Sequence, residues 1–310
     1  MRFGRVRSGL VETVEDVSVI AMGASSNVLF SSGDPDSPVF YRSAIKPFQA
    51  LAAARTGRTL PDEHLAVSCA SHGGFPVHLA IVDAILSDHG LSVDDLRCPR
   101  DRPLAAAAHD LQVARGNTHR ERRFHNCSGK HAGWLAACSV AGWDTATYLD
   151  PDHPLQRSII EIMRDVSGVE PEPVGVDGCG APTLRGSTRG LANAFMRLGT
   201  DPEIAPIARA VSRFGALVAD NLRPEGRTAL WWSGPLKVGA EGLLAMTSAD
   251  ITIATKSHSG RSEIAVAAAL VTAKRIGVLP EAMVDALRDE TRPPVIGGDE
   301  IVGNLELIEA

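Results

Sequence analysis

Apolar positions along the chain change their spacing from the ends to the middle. Residues 17–22 and 28–30 are short apolar runs separated by Gly23-Ala24-Ser25-Ser26, which predicts two strands joined by a hairpin turn. Similar short runs at 228–232, 242–246 and 251–255 predict strands near the other end, and 300–307 suits a returning edge strand. Between them the spacing becomes helical. Helices are expected over 47–56, closed by Gly57, and over 78–89, 130–141, 155–166 and 184–198. Residues 204–221 form the longest candidate, and the Ala/Val-rich 263–276 returns as a late helix. Residues 65–70 read as a short buried segment, and 97–125, rich in Arg, Pro and Ala, as a surface excursion with a short helix.

Strands at both termini and helices between them predict a mixed α/β fold. Its largely antiparallel sheet is built from both ends and flanked by helices. The 310 residues suit one domain made of two closely packed lobes. The expected sheet lobe covers about 1–60 and 225–310, and the helical lobe about 61–224.

Composition narrows the class. A net charge of −6 argues against nucleic acid or an anionic membrane as partner, and aromatic residues at 5% disfavour base stacking. No apolar run is long enough to span a bilayer, and residues 1–7 lack the apolar stretch of a signal peptide. Five cysteines spread over a long chain do not make a disulfide framework. A reducing cytoplasm is the expected location.

Candidate chemistry begins at Ser43 and Lys46. Three residues apart on a helix, they share a face, and a lysine that loses its proton by burial serves as base for a serine nucleophile. Pro47 disfavours helical geometry at Lys46, so the pair is expected on a distorted first turn. Taken alone, the spacing equally describes a helix start with a solvated lysine. Ser71 precedes His72-Gly73-Gly74, a turn suited to an oxyanion or simply a glycine loop. Lys237 stands two residues before Gly239, and serine acyl-enzymes of the penicillin-recognising type carry Ser-x-x-Lys early and Lys-x-Gly late. Cys127, Lys130 and Cys179 lie in glycine-hinged turns. They suit a soft divalent ion such as zinc, although the spacing is not that of a zinc finger, or a pair of small buried thiols, or a nucleophilic Cys127 at a helix N-terminus. Asp177 suits an ammonium group or a plain turn. Cys69, Cys98 and Cys138 carry no assigned role.

Read together, these segments resemble the rhizobial-type L-asparaginase family, also called asparaginase II. The resemblance rests on Arg42-Ser43-Ala44-Ile45-Lys46-Pro47, Cys69-Ala70-Ser71-His72, the run from Asn126 to Gly133, Asp150-Pro151-Asp152-His153-Pro154, Asp177-Gly178-Cys179-Gly180-Ala181-Pro182 and Gly239-Ala240-Glu241-Gly242. It implies a β-lactamase/transpeptidase-like fold, a homodimer, and hydrolysis of asparagine to aspartate and ammonia. It implies Ser43 with Lys46 as one Ser–Lys pair and Ser71 with Lys237 as a second. It further implies a zinc site at Cys127, Lys130 and Cys179, separate from the hydrolytic centre, and a pocket lined by Arg42, His72, His131 and Asp177. Two departures stand out. Phe75 occupies a position where the family usually carries an acid, and the stretch before Lys237 is short and lacks a pocket cysteine found in some members. They leave two other readings: a zinc-binding sensor or scaffold without activity, or an amidase for another small amide. If the chain is active, the departures predict weaker turnover of asparagine than in members with the full pattern, with glutamine the poorer substrate.

Overall fold

A computed structural model describes all residues, 1–310. Its centre is an eight-stranded antiparallel sheet in the order Pro294–Gly297, Glu300–Glu309, Arg2–Arg7, Leu10–Gly23, Ile251–Ser257, Leu243–Thr247 and Leu236–Gly239, with Val28–Ser32 also pairing on Leu10–Gly23. The first and last strands of the chain lie side by side, Phe3 opposite Leu307. The sheet is thus assembled from both termini, as the run pattern predicts.

The long strand Leu10–Gly23 explains how the sheet divides. Its first half is solvent-exposed and its second half is buried on both faces. Alternation along the strands sends neighbours to opposite sides. Ile20, Leu243, Ala245 and Ala254 join the large core under the helical body, whereas Ala21, Leu244, Met246 and Ile253 pack with the helix Ser262–Arg275. The core of the helical body includes Phe48 and Leu51 of Lys46–Ala54, Trp134 of Ser128–Ala141, and Phe195 of Thr188–Thr200.

Several expected elements differ. Residues 228–232 are not a strand: the chain forms the helix Pro224–Ala229, and the Trp232 indole N–H donates to the Thr247 carbonyl at 2.8 Å. The expected helix over 204–221 is two pieces, Ala205–Arg213 and Gly215–Val218, broken at Phe214. The segment expected to be helical from residue 184 begins as the strand Arg185–Ser187, and the helix starts at Thr188 with Ser187 Oγ accepting from Gly190 N–H at 3.0 Å. Glu300–Glu309 is an interior strand, since Pro294–Gly297 covers its outer side. The edge at the other end is Leu236–Gly239, which carries Lys237.

The segment leading into the site is held from behind. Pro38–Phe40 pairs with Arg185–Ser187, and Tyr41 is fully buried immediately before Arg42 and Ser43. A Cβ at Gly186 would overlap the Tyr41 ring, so the ring fits only because that position has no side chain. Gly186→Ala is expected to destabilise the fold by about 1–3 kcal/mol through overpacking. The measurement is the urea midpoint, and an unchanged midpoint would show that Tyr41 has room to move.

Candidate active site

The side chains that carry chemistry converge on Ser71. This residue follows the helix Asp62–Ser68 and is itself buried. Its Oγ lies 3.1 Å from Lys46 Nζ and 3.2 Å from Lys237 Nζ. Both lysines are fully buried. Lys46 also donates to the Ala70 carbonyl, and Lys237 to the Val238 carbonyl at 2.8 Å. Burial lowers the pKa of Lys46. It lowers that of Lys237 far below the ordinary value, aided by the charges of Lys46 and Arg223. Two amines whose burial disfavours the charged form therefore meet one hydroxyl.

Ser43 sits in the 3₁₀ turn Arg42–Ile45 that feeds the helix Lys46–Ala54. The kink expected at Lys46 falls one residue earlier: Lys46 is helical at φ −55°, ψ −34°, and Ile45 leaves the helical region at φ −90°, ψ 9°. Arg42 is held at φ +50°, a left-handed conformation costly for a residue with a Cβ. Ser43 is partly exposed and lines the same cleft as Ser71. The ammonium-bearing atom of Lys46 bonds to Ala70 and Ser71 and not to Ser43. The edge strand comes close here, because a Cβ on Gly239 would meet the Tyr41 carbonyl at 2.8 Å.

Beside this centre lies a ladder of alternating charge. Lys130 Nζ donates to Cys179 Sγ at 3.2 Å, and the Cys127 thiol donates to Asn126 Oδ1 at 3.1 Å. The Cys127 contact first, and then the Lys130 charge, outweigh burial and lower the Cys179 pKa to about 5. Burial opposes the charge on Lys130, but Cys179, Cys127 and Asp177 outweigh it and raise its pKa. Lys130 also stacks on Trp134, its Nζ 4.4 Å from the ring centroid. Asp177 resists burial in the same way: Lys130 and Arg42 hold its pKa below the usual carboxylate value. The Arg42 Nε donates to Asp177 Oδ1 at 2.8 Å.

This ladder is also the place where a metal would fit. The donors are two thiols and one amine, the right types for a soft ion. No group of three His, Cys, Asp or Glu side chains is placed to hold a metal ion, so a metal here would need Lys130 as its third protein donor. That is unusual for a lysine, and it requires Lys130 to give up the proton it now donates to Cys179.

The two histidines occupy different surroundings. His72 is fully buried, bonds Ser128 Oγ at 2.9 Å through Nε2, and stacks on His78 with ring centroids 5.1 Å apart. His131 bonds the Tyr148 hydroxyl at 2.7 Å through Nδ1, and its buried Nε2 has no partner. Burial drives both imidazoles well below their ordinary pKa, so both are neutral.

The cleft over the two serines holds about 730 Å³. Three charged residues on its wall, Asp220, Arg223 and Glu225, were not singled out in the sequence. Arg223 donates to the Ser71 carbonyl at 2.7 Å, pairs with Asp220 at 3.1 Å, and pairs with Glu225 at 3.2 Å. Asp220 and Glu225 are buried despite their charge. The only sequence signal was the Asp-x-x-Arg-x-Glu spacing, which a solvated turn shares. Phe75 lies against the same wall: a Cβ on Gly73 would meet Asp220 Oδ2 at 2.8 Å and Phe75 Cε2 at 3.1 Å. Carboxylates therefore reach this wall from the short segment before Lys237.

A family model described as L-asparaginase II matches residues 4–307. No curated protein matches the chain. Among solved structures, Mglu is 14% identical, the match covering 85% of this chain and 68% of that chain at a TM-score of 0.46. Mglu in its native form is 15% identical over 91% of this chain and 70% of that chain, at a TM-score of 0.45. A beta-lactamase from Mycobacterium bovis is 14% identical over 89% of this chain and 95% of that chain, also at 0.45.

The charge ladder has a spectroscopic consequence. A pKa of about 5 leaves Cys179 a thiolate at neutral pH. Ultraviolet thiolate absorbance is expected to persist as the pH is lowered to about 5, then to fall as Cys179 takes a proton. Cys179→Ser should remove the signal, and Lys130→Met should move the titration toward that of an ordinary thiol. Absorbance that appears only above pH 8 in the wild type would exclude the thiolate–ammonium pair.

Proposed function

The chain belongs to the L-asparaginase II family, and we propose that it hydrolyses the side-chain amide of L-asparagine to L-aspartate and ammonia. Membership implies an amidohydrolase. The observation that carries the finer reading is the meeting of two buried lysine amines on one serine hydroxyl at the edge of a cleft. Burial lowers the pKa of both amines, which suits them to exchange a proton with a hydroxyl.

In this reading Ser43 attacks the amide carbonyl. It faces the cleft from the 3₁₀ turn that leads into the N-terminus of the helix Lys46–Ala54, whose first backbone N–H groups lack intrahelical acceptors. Lys46, three residues on, takes the serine proton. Ser71 bridges Lys46 to Lys237 and passes the proton between the two amines. The proton then goes to the departing nitrogen, and ammonia leaves. Water cleaves the aspartyl ester by the reverse sequence, restoring the Ser43 O–H.

The substrate head is a zwitterion, and Arg42 with Asp177 is its charge complement. The two side chains now neutralise each other across 2.8 Å. An incoming carboxylate pairs with Arg42 and an ammonium with Asp177, so the pair exchanges partners without leaving a charge unmatched. Cys127, Cys179 and Lys130 fit a zinc ion, which would add positive charge beside this binding pair and take no part in acyl transfer.

A second reading makes Ser71 the nucleophile, because Ser71 and not Ser43 has the amine contacts. Catalytic hydrogen bonds tighten on substrate binding, so the free-protein geometry does not decide the order. Ser43→Ala is expected to lower asparagine turnover by about a thousandfold or more with an unchanged urea midpoint. Rapid-quench mass spectrometry should find the aspartyl adduct on the peptide carrying Ser43. An adduct on Ser71 would reverse the roles of the two serines. Neither adduct nor ammonia release would favour a non-catalytic zinc-binding protein.

The metal reading is tested apart from activity. Protein purified without chelator is expected to hold about one zinc per chain by elemental analysis, and Cys179→Ser to hold none. Equal zinc content in the two proteins would remove Cys179 as a ligand.

A further inference from the structure

The cleft is far larger than the amide it is proposed to cut. A volume of about 730 Å³ lies in the range that buries a drug-sized molecule, and a single amino acid fills a small part of it. Its lining is also uneven. Ser43 and Ser71 stand on its wall, whereas Arg42 and Asp177, the complement of the amino-acid head, do not. Its apolar lining comes from two segments, Leu104 with Ala105, Ala106 and Ala107, and Leu222 with Pro224, set among the charged Asp220, Arg223, Glu225, Arg261 and Glu263. Leu104 is 49% exposed and Leu222 is 62% exposed, so two large apolar side chains lining one cleft meet water.

The orientation follows from which groups lie where. With the amino-acid head at Arg42 and Asp177, and the carbonyl at the serines, the departing nitrogen faces the open part of the cleft. Ammonia leaves that space unfilled. We infer that the cleft accepts β-aspartyl amides whose nitrogen carries an apolar substituent, and that the substituent packs between Leu104 and Leu222. This rests on the asparagine-type hydrolysis proposed above and extends it from a free amide to an N-substituted one.

The chemistry balances without a new reactant. The Ser43 Oγ–carbon bond forms and the carbon–nitrogen bond breaks. The substituted amine leaves with the proton that Lys46 took from Ser43. Water then adds to the carbonyl carbon, the ester bond breaks, and one water proton returns to Ser43. The products are aspartate and a primary amine.

The wall that makes the groove is the short segment before Lys237. The Arg223 contacts to Ser71, Asp220 and Glu225 tie it down, and the helix Pro224–Ala229 begins there. Leu222 is thereby placed on a braced turn.

The test compares L-asparagine with the N-methyl and N-isobutyl amides of the aspartate side chain, which differ in apolar bulk and little in leaving-group basicity. The isobutylamide is expected to show a kcat/KM about tenfold above the methylamide, equivalent to about 1.4 kcal/mol. Leu104→Asp and Leu222→Asp should each bring that ratio close to one, with the urea midpoint showing that the variants fold. An isobutylamide no better than the methylamide overturns the inference, as does a preference that survives both substitutions. Hydrolysis of asparagine without either alkylamide would end this inference alone. Failure with all three amides would end the parent reading as well.

Discussion

Two lysines with no carboxylate in contact share one buried hydroxyl, and the surrounding architecture is arranged to bring them there. An ammonium taken out of water without a counter-ion is costly enough that the group gives up its proton instead. Lys46 and Lys237 each point at the Ser71 hydroxyl and at one backbone carbonyl, which accept hydrogen bonds but carry no full negative charge. The charge of Lys46 strengthens the effect at Lys237, since its proximity disfavours protonation there. Meeting this requirement takes three elements distant in sequence: the helix start at Lys46, the loop after Asp62–Ser68, and the edge strand Leu236–Gly239. Gly239 allows the strand to approach the Tyr41 carbonyl, and the pairing of Pro38–Phe40 with Arg185–Ser187 fixes the chain entering from the other side.

The neighbouring charges follow the opposite rule. Cys179, Lys130, Asp177 and Arg42 alternate in sign and keep their charges while buried or half-buried. Each group is stabilised by the next, and removing one leaves its neighbours uncompensated, which is the expensive way to alter a buried ionic network. One region of the site thus lowers the pKa of its basic groups by burying them, and the adjoining region holds charged groups by pairing them. The hydrolysis proposed above would draw on both, with a base at the carbonyl and fixed charges at the amino-acid head.

Much of this was legible from residue spacing. The helices near 47–56 and 130–141, the two strands before residue 32 and the late strands at 242–246 and 251–255 follow from apolar periodicity and correspond to observed elements. The segment 228–232 misleads because Thr-Ala-Leu-Trp-Trp has strand-like composition. Its burial has helical spacing instead: Thr228 and Trp232 point inward while Leu230 and Trp231 face solvent. The partner of Lys46 was not legible either. Sequence spacing places Ser43 on its face, but Ser71 reaches the amine across a tertiary contact that no local pattern encodes. Asp220, Arg223 and Glu225 look like solvated turn residues and become a buried ion network only when the turn packs on Ser71.

Phe75 and this network are two parts of one feature. The turn at Gly73 is crowded from three sides, by Asp220 Oδ2 at 2.8 Å, the Ala105 Cβ at 2.9 Å and Phe75 Cε2 at 3.1 Å from where a Cβ would stand. Asp220 is buried and already shares Arg223 with Glu225. An acidic side chain at position 75 would bring a third carboxylate toward a single guanidinium, and like charges at that range are destabilising. The phenyl ring instead supplies apolar contact against the turn and leaves Arg223 free to hold the Ser71 carbonyl. The departure at Phe75 and the short segment before Lys237 therefore meet at one turn, where the acidity of the cleft wall comes from Asp220 and Glu225 and the ring at position 75 adds no further charge.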